Sequence, residues 1–333
     1  MRPIHIIVLP VMISMYLLVS CRNPPKKNTN TLSNTTSPAI VKADTADVDT
    51  NAVINAPEHL QPDEINRMYR AGKLFKHAKI KEAILIYDTL ISGRPDNSFF
   101  YSSRAAGYYQ IGKLDEAKND CEQALKLNPA NYYALYTQAE VLIYFNNYGP
   151  AIASLTRAVK AKSDYALAYN LRGVARGNMG DIANAKADLD QAVKINGADP
   201  SAYYNRALIY SKMNMPDSEI KDYEKALKIF ARYTEARNNL GLLKEKYRKD
   251  YTGALQEFTE ILKYEPTNAK AYYCRGRCNA DLKNYKEAIA DYNKAIKLKA
   301  DYKVVYLNRA AAYEALKDVK SAQKDRSTAA TLH

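Results

Sequence analysis

The side chains that most often carry chemistry are scarce in this chain and poorly placed for it. Four of the 333 residues are Cys and four are His. Cys274 and Cys278 stand four apart, one helical turn, a spacing that suits a disulfide badly. With His only at 5, 59, 77 and 333 they also lack the further ligands of a zinc site. Together with Cys121 they read as small core residues. There is no phosphate-binding loop, no nucleophile elbow and no His–carboxylate cluster. No catalytic residue, cofactor or metal is therefore expected, and the chain is not read as an enzyme. One charged constellation does recur, an Arg followed sixteen residues later by an Asp. It occurs as Arg104 with Asp120, Arg172 with Asp188, Arg206 with Asp222, Arg275 with Asp291 and Arg309 with Asp325. Two antiparallel helices turning midway would set such residues side by side. They read as structural ion pairs, and a basic ligand-binding stripe is the alternative.

The elements that would position these pairs repeat. Small residues recur about every 34 residues as Ala71, Ala105, Ala139, Gly173, Ala207, Gly241, Gly276 and Ala310. A second series runs twelve residues on through Ala83, Ala117, Ala151, Ala185, Glu219, Ala254, Ala288 and Ala322, and a third runs from Leu90 to Ala329. Such a period is the signature of a helical solenoid, the small residues marking where helices approach closely. The units are 64–97, 98–131, 132–165, 166–199, 200–233, 234–268, 269–302 and 303–333. The sixth holds one extra residue, expected near Arg248–Lys249 in the turn between its helices. In the second unit Tyr101, Tyr108, Cys121, Leu125 and Leu127 fall at helical spacing, broken at Gly112-Lys113, and Pro129 ends the second helix. Helices this short are marginal alone and need their neighbours. A mostly small and polar last helix (321–331) would cap the array.

This pattern resembles the tetratricopeptide repeat family, which wants a large residue at repeat position 4, small ones at 8, 20 and 27, and aromatics at 11 and 24. Unit seven matches with Tyr272, Gly276, Ala288, Tyr292 and Ala295, unit two with Tyr101, Ala105, Tyr108, Ala117, Ala124 and Pro129. Departures are Glu219 at a small position, Lys244 at position 11 and Arg67 at position 4. The resemblance implies an all-α, right-handed superhelical solenoid of eight repeats. It further implies that positions 2, 5, 9, 12 and 13 line a concave partner-binding groove. On this chain those include Phe99, Tyr109, Tyr133, Tyr136, Tyr144, Asn170, Tyr204, Asn238, Lys270 and Tyr273. The N-terminal half of the groove is thus aromatic and the C-terminal half mixed in charge. Asn239 with Lys270 in the next unit is similar to a fragment of the family's carboxylate clamp, but its companions in unit five are replaced by Tyr204 and Leu208.

Ahead of the repeats, Arg2 and an apolar stretch from Ile4 to Val19 end in Leu18-Val19-Ser20-Cys21. This resembles a bacterial lipoprotein signal (1–20), with Cys21 as the lipidated first residue of the mature chain. Residue 22 is Arg rather than Asp, which favours the outer membrane, and the absence of an acidic run favours a periplasm-facing position. Residues 21–63, rich in Asn, Thr, Ser, Asp and Pro, read as a disordered tether with a reach of roughly 35 Å. Gln61-Pro62-Asp63-Glu64 looks like a helix start.

The net charge is +13, and because the leader and tether nearly cancel, the repeats carry all of it. Such an excess favours acidic partners or an anionic membrane surface, with nucleic acid a poor candidate for an exported lipoprotein. The expectation is a non-catalytic scaffold that organises a protein complex in the cell envelope. A glycan-binding lipoprotein partnered with a transporter and a regulator of cell-wall hydrolases are the alternatives.

Overall fold

The structure, a computed structural model, describes residues 60–299 and 301–332. Among these, sixteen α-helices and one π-helical turn are present, and no strand. The leader, Cys21 and the tether up to residue 59 lie outside the described residues. The chain divides into two compact units at the turn after residue 213. The first contains α1 (Pro62–Lys76), α2 (Ile80–Gly93), α3 (Ser98–Gln110), α4 (Leu114–Leu127), α5 (Tyr132–Tyr144), α6 (Tyr148–Ala161), α7 (Ala166–Asn178), α8 (Ile182–Ile195) and α9 (Pro200–Lys212). The second contains α10 (Pro216–Ile229), α11 (Thr234–Leu243), α12 (Tyr251–Tyr264), α13 (Ala269–Asp281), α14 (Tyr285–Leu298), α15 (Lys303–Ala315) and α16 (Val319–Thr331).

Local signals explain where the helices begin and turn. Side chains of Asn97, Asn131, Asp199 and Asn268 accept hydrogen bonds from the first backbone N–H groups of α3, α5, α9 and α13. At α1 the cap is a reciprocal box between Gln61 and Glu64, with Pro62 in the first turn. Each hairpin turn contains one left-handed residue: Ala78, Gly112, Asn146, Gly180, Asn214, Lys249, Lys283 and Lys317. These stand 34 apart except between Asn214 and Lys249, where the step is 35. The extra residue of the sixth repeat is therefore not in the turn, as the sequence suggested. It lies in the π-helical turn Lys244–Arg248, which extends α11 and leaves the turn at Lys249 like the others. A π turn closes i→i+5 bonds and so absorbs one added residue while the next helix keeps its place in the repeat.

The three small-residue series are the packing seams. Ala71, Ala105, Ala139, Ala207 and Ala310 are fully buried, as are Ala117, Ala151, Ala254 and Ala288 of the second series. At Gly276 a Cβ would stand 2.7 Å from Tyr292 Cε1 on the facing helix α14, so even Ala would force that ring to move. Glu219, standing where the others are small, is buried as well.

Candidate partner-binding surface

The first helices of the repeats carry two different polar faces. One is built on Arg at position 7. Arg104 donates from Nε and Nη2 to both oxygens of Asp120 at 2.8 Å, and from Nη1 to Asp88 of the preceding repeat at 2.7 Å. Its guanidinium lies 5.7 and 5.6 Å from the ring centres of Tyr101 and Tyr108, at positions 4 and 11 of the same helix. Arg172 grips Asp188 at 2.9 and 2.7 Å and Thr156 at 3.1 Å, while Arg176 adds a second cation to Asp188 at 2.7 Å. Arg309 grips Asp325 at 2.7 and 2.6 Å and Asn293 at 2.5 Å. Arg275 holds Asp291 at 3.0 and 2.6 Å under Tyr272. In the first unit Arg206 donates to Asp190 at 2.8 Å, and in the second Asp222 is buried.

Arg104, Arg172, Arg206 and Arg309 thus each reach an acceptor sixteen residues behind them: Asp88, Thr156, Asp190 and Asn293. That link joins one repeat to the one before. It escaped detection in the sequence because the acceptor varies between carboxylate, hydroxyl and amide, although its fixed offset was visible. The departing repeats substitute other polar contacts. Ser154 donates to Gln138 at 2.8 Å, and Glu257 collects Arg237 and Lys244 at 2.7 and 2.8 Å. Lys244 at a normally aromatic position is explained by that ion pair.

The other face holds the expected groove residues, and the structure separates them into two groups. Tyr109, Tyr204, Tyr273 and Asn170 are buried, which corrects the expectation that they line an open surface. Asn170 is spent on stacking: it donates to Ser201 Oγ and accepts from Asn205, both at 2.9 Å. Tyr273 lies 5.3 Å from the Tyr302 ring and accepts from Asn308 at 2.9 Å. The reason is that positions 5 and 12 meet the next first helix, while Tyr101 and Tyr108, at the large and aromatic positions of the repeat, are only half-buried beside Arg104. Phe99, Tyr133, Tyr136, Tyr144, Asn238 and Lys270 remain half-buried.

On α5 the half-buried tyrosines share their helix with Glu140, which stands at groove position 9 but was not among the residues named for the groove. Glu140 accepts a hydrogen bond from the Tyr136 hydroxyl, and burial pushes its carboxyl up to about 8. The Tyr136 ring is 5.4 Å from Tyr165. Tyr109, whose buried hydroxyl has no hydrogen-bond partner among the described residues, feels the charges of Glu140 and Tyr144, and its own ionisation is driven well up by burial. An acid at position 9 among tyrosines was the available signal. In the second unit the corresponding face is ionic. Glu245 on the π turn is buried and accepts from Arg277 on α13, while Asn239 of the clamp-like fragment donates to Tyr223 at 3.1 Å.

Cys121, Cys274 and Cys278 are buried free thiols, and burial raises Cys278 to about 12. Among the described residues no three His, Cys, Asp or Glu side chains are placed to hold a metal ion, and no helix is long and apolar enough to cross a membrane.

Models of the tetratricopeptide repeat match residues 98–131, 166–199, 200–233 and 245–303. A DnaJ homolog subfamily C member 7 homolog of Schizosaccharomyces pombe is 24% identical over 307 residues, covering 82% of this chain and 64% of its own. Hsp70-Hsp90 organizing protein 2 of Arabidopsis thaliana is 22% identical, covering 61% and 42% respectively. The chain thus spans less than two thirds of these curated relatives. The solved structure of pilF from Pseudomonas aeruginosa superposes with a TM-score of 0.56 at 19% identity, over 68% of this chain and 98% of that one, a likeness of fold.

Proposed function

Because the chain belongs to the tetratricopeptide repeat family, we propose that it is a non-catalytic scaffold for protein–protein interaction, tethered to the outer membrane through lipid on Cys21 and facing the periplasm. The observation that carries the scaffold reading is the α5 face, where Tyr133, Tyr136 and Tyr144 stay half-exposed on a helix whose opposite side is packed. Tyrosine combines contact area with a hydroxyl at small entropic cost, and aromatic clusters of this kind are usual contact sites. The name of the Arabidopsis relative describes an organiser of two other proteins, which supports an adaptor role here. The anchor reading is supported by the Leu-Val-Ser-Cys box at residues 18–21. The +13 charge supports a place close to an anionic bilayer.

Crosslinked pull-down from intact envelope tests the scaffold. Tyr136 is avoided because it also packs on Tyr165. Tyr133→Ser with Tyr144→Ser should cut recovery of the crosslinked partner by about 10-fold, 1.4 kcal/mol, at nearly unchanged Tm. A large fall in Tm with recovery intact would show both tyrosines to be structural. The anchor has its own test. Cys21→Ala should release protein from the membrane fraction or block processing, and a processed variant still held at the membrane excludes the lipid.

A further inference from the structure

The hairpin turns of the second unit carry apolar side chains that the fold leaves in water. Met215 stands at the start of α10 and Tyr247 on the π turn, while Leu316 and Val319 flank the turn between α15 and α16; all four are exposed. Val319, at 68%, is the most exposed large apolar side chain among the described residues. Leu282, at the turn between α13 and α14, is half-buried. These turns share one edge of the unit. Arg248 reaches from the turn of the sixth repeat to Asp217 beside Met215 at 2.7 Å, and successive hairpins pack on one another, α12 on α13 and α14 on α15. The edge is also basic. Residues 246–250, 281–285 and 315–320 hold the exposed cations Lys246, Arg248, Lys249, Lys283, Lys317 and Lys320 against Asp250, Asp281 and Asp318. Two of those acids are engaged as helix caps, Asp250 by the Gly253 N–H at 2.8 Å and Asp318 by the Ser321 N–H at 3.1 Å.

We propose that this edge docks on an anionic phospholipid bilayer, the apolar tips entering the interfacial layer while the Lys and Arg side chains meet the lipid phosphates. This rests on the reading that the chain is held at a membrane and names the surface that touches it. The mixture of side chains decides between occupants. An acidic protein segment would meet the cations but leave the apolar tips in water. An apolar segment would cover the tips and strip water from six charges without replacing it. A bilayer interface takes both, acyl chains beneath for the tips and phosphates level with the long basic stems. At Tyr247 the two kinds of group already stand together, with Lys246 Nζ donating to its hydroxyl at 3.1 Å and lying 4.6 Å from its ring centre. Charge alone would not choose this edge, because the opposite ends of α10, α12 and α14 carry exposed Lys228, Lys263 and Lys297. The apolar tips choose it. At those opposite ends Ile229, Tyr264 and Leu298 are exposed by 40, 43 and 37%, well short of Val319, and the Arg232 guanidinium covers Tyr264 at 4.9 Å.

The chain has no Trp, so single Trp reporters test the contact. Val319→Trp and, separately, Tyr247→Trp place one on the edge, and Leu298→Trp places one at the opposite end of α14. Each full chain is reconstituted into vesicles of phosphatidylglycerol and phosphatidylcholine, the latter brominated along its acyl chains. Emission from both edge reporters should shift to the blue and be largely lost to quenching, while Leu298→Trp keeps its emission. Salt at about 1 M, where charges are screened beyond about 3 Å, should restore the edge emission. Leaving out phosphatidylglycerol, or adding Lys283→Gln, Lys317→Gln and Lys320→Gln together, should do the same. The proposal is overturned by edge reporters that stay unquenched in a chain that floats with the vesicles, by equal quenching of Leu298→Trp, or by quenching indifferent to phosphatidylglycerol. An unquenched edge at which Leu316→Asp with Val319→Asp cuts recovery of the crosslinked partner would belong to a protein instead. Cys21→Ala separates this contact from the anchor. Edge quenching that persists in a processed Cys21→Ala chain keeps the contact and faults the lipid, whereas flotation that needs Cys21 beside an unquenched edge keeps the lipid and overturns the contact.

Discussion

The same helix positions are occupied in opposite ways by the two units. On α5, in the first, they present the half-buried Tyr133, Tyr136 and Tyr144 with Glu140. On the π turn after α11 and on α13, in the second, they present a buried Glu245 already gripping Arg277. The Arg face, by contrast, is of one design in both: Asp120 and Asp188 in the first unit and Asp291 and Asp325 in the second are held alike. The difference teaches which link between repeats is held constant. On the Arg face variation is limited to the kind of acceptor. On the other face the links, such as Asn170 to Ser201 and Arg277 to Glu245, change in charge and aromatic character from repeat to repeat.

The largest break in this comparison should come from the constant face. Asp188 is buried and holds Arg172 and Arg176 together. Asp188→Ala would leave two guanidinium groups without their carboxylate, and should cost about 3–5 kcal/mol in denaturant melts. Arg172→Met combined with Asp188→Leu should cost less than the two single changes summed, as expected of a pair replaced by apolar groups. Simple additivity would separate the Arg–Asp contact from stability.

A smaller effect should mark the variable face through pH. Folding raises Glu140 from its ordinary 4.5 to about 8, so between those values the folded chain holds a proton the unfolded chain has released. Its contribution is complete below about 4.5 and is lost as pH rises through about 8. Tm should therefore fall between pH 5 and 8.5 by about 2 °C or more beyond the fall in the Glu140→Gln chain. Parallel pH profiles would show the carboxyl to be solvated.

The smallest effect should come from a position belonging to neither face. Lys283 closes its hairpin with φ 63°, a conformation that costs L-residues roughly 1–2 kcal/mol. Lys283→Gly should stabilise by up to about 1 kcal/mol after the entropy of Gly is subtracted. A loss of stability would mean that the Lys side chain contributes more than its backbone costs.

Much of the architecture was readable from the residues alone. A 34-residue period in residues too small for anything but close helix contact specifies stacked hairpins, because a helix approaching that closely meets the same residue in every repeat. The sixteen-residue Arg–Asp offset was equally local, lying inside one hairpin. The extra residue of the sixth repeat was legible as a count but misplaced, since nothing local distinguishes a longer turn from a π turn.

The tyrosines mark where tertiary structure took over. Tyr109 and Tyr144 are both tyrosines on the expected inward face, yet one is buried and the other half-exposed. Helical periodicity assigns a side chain to a direction, and both point the same general way. Occlusion depends on the helix of the next repeat, thirty or more residues further along the chain, and on which of its side chains reach back. The acid at 140 obeys the same rule. Its residue type is plain in the sequence, but the burial that raises its carboxyl exists only once the helices around α5 have been brought together.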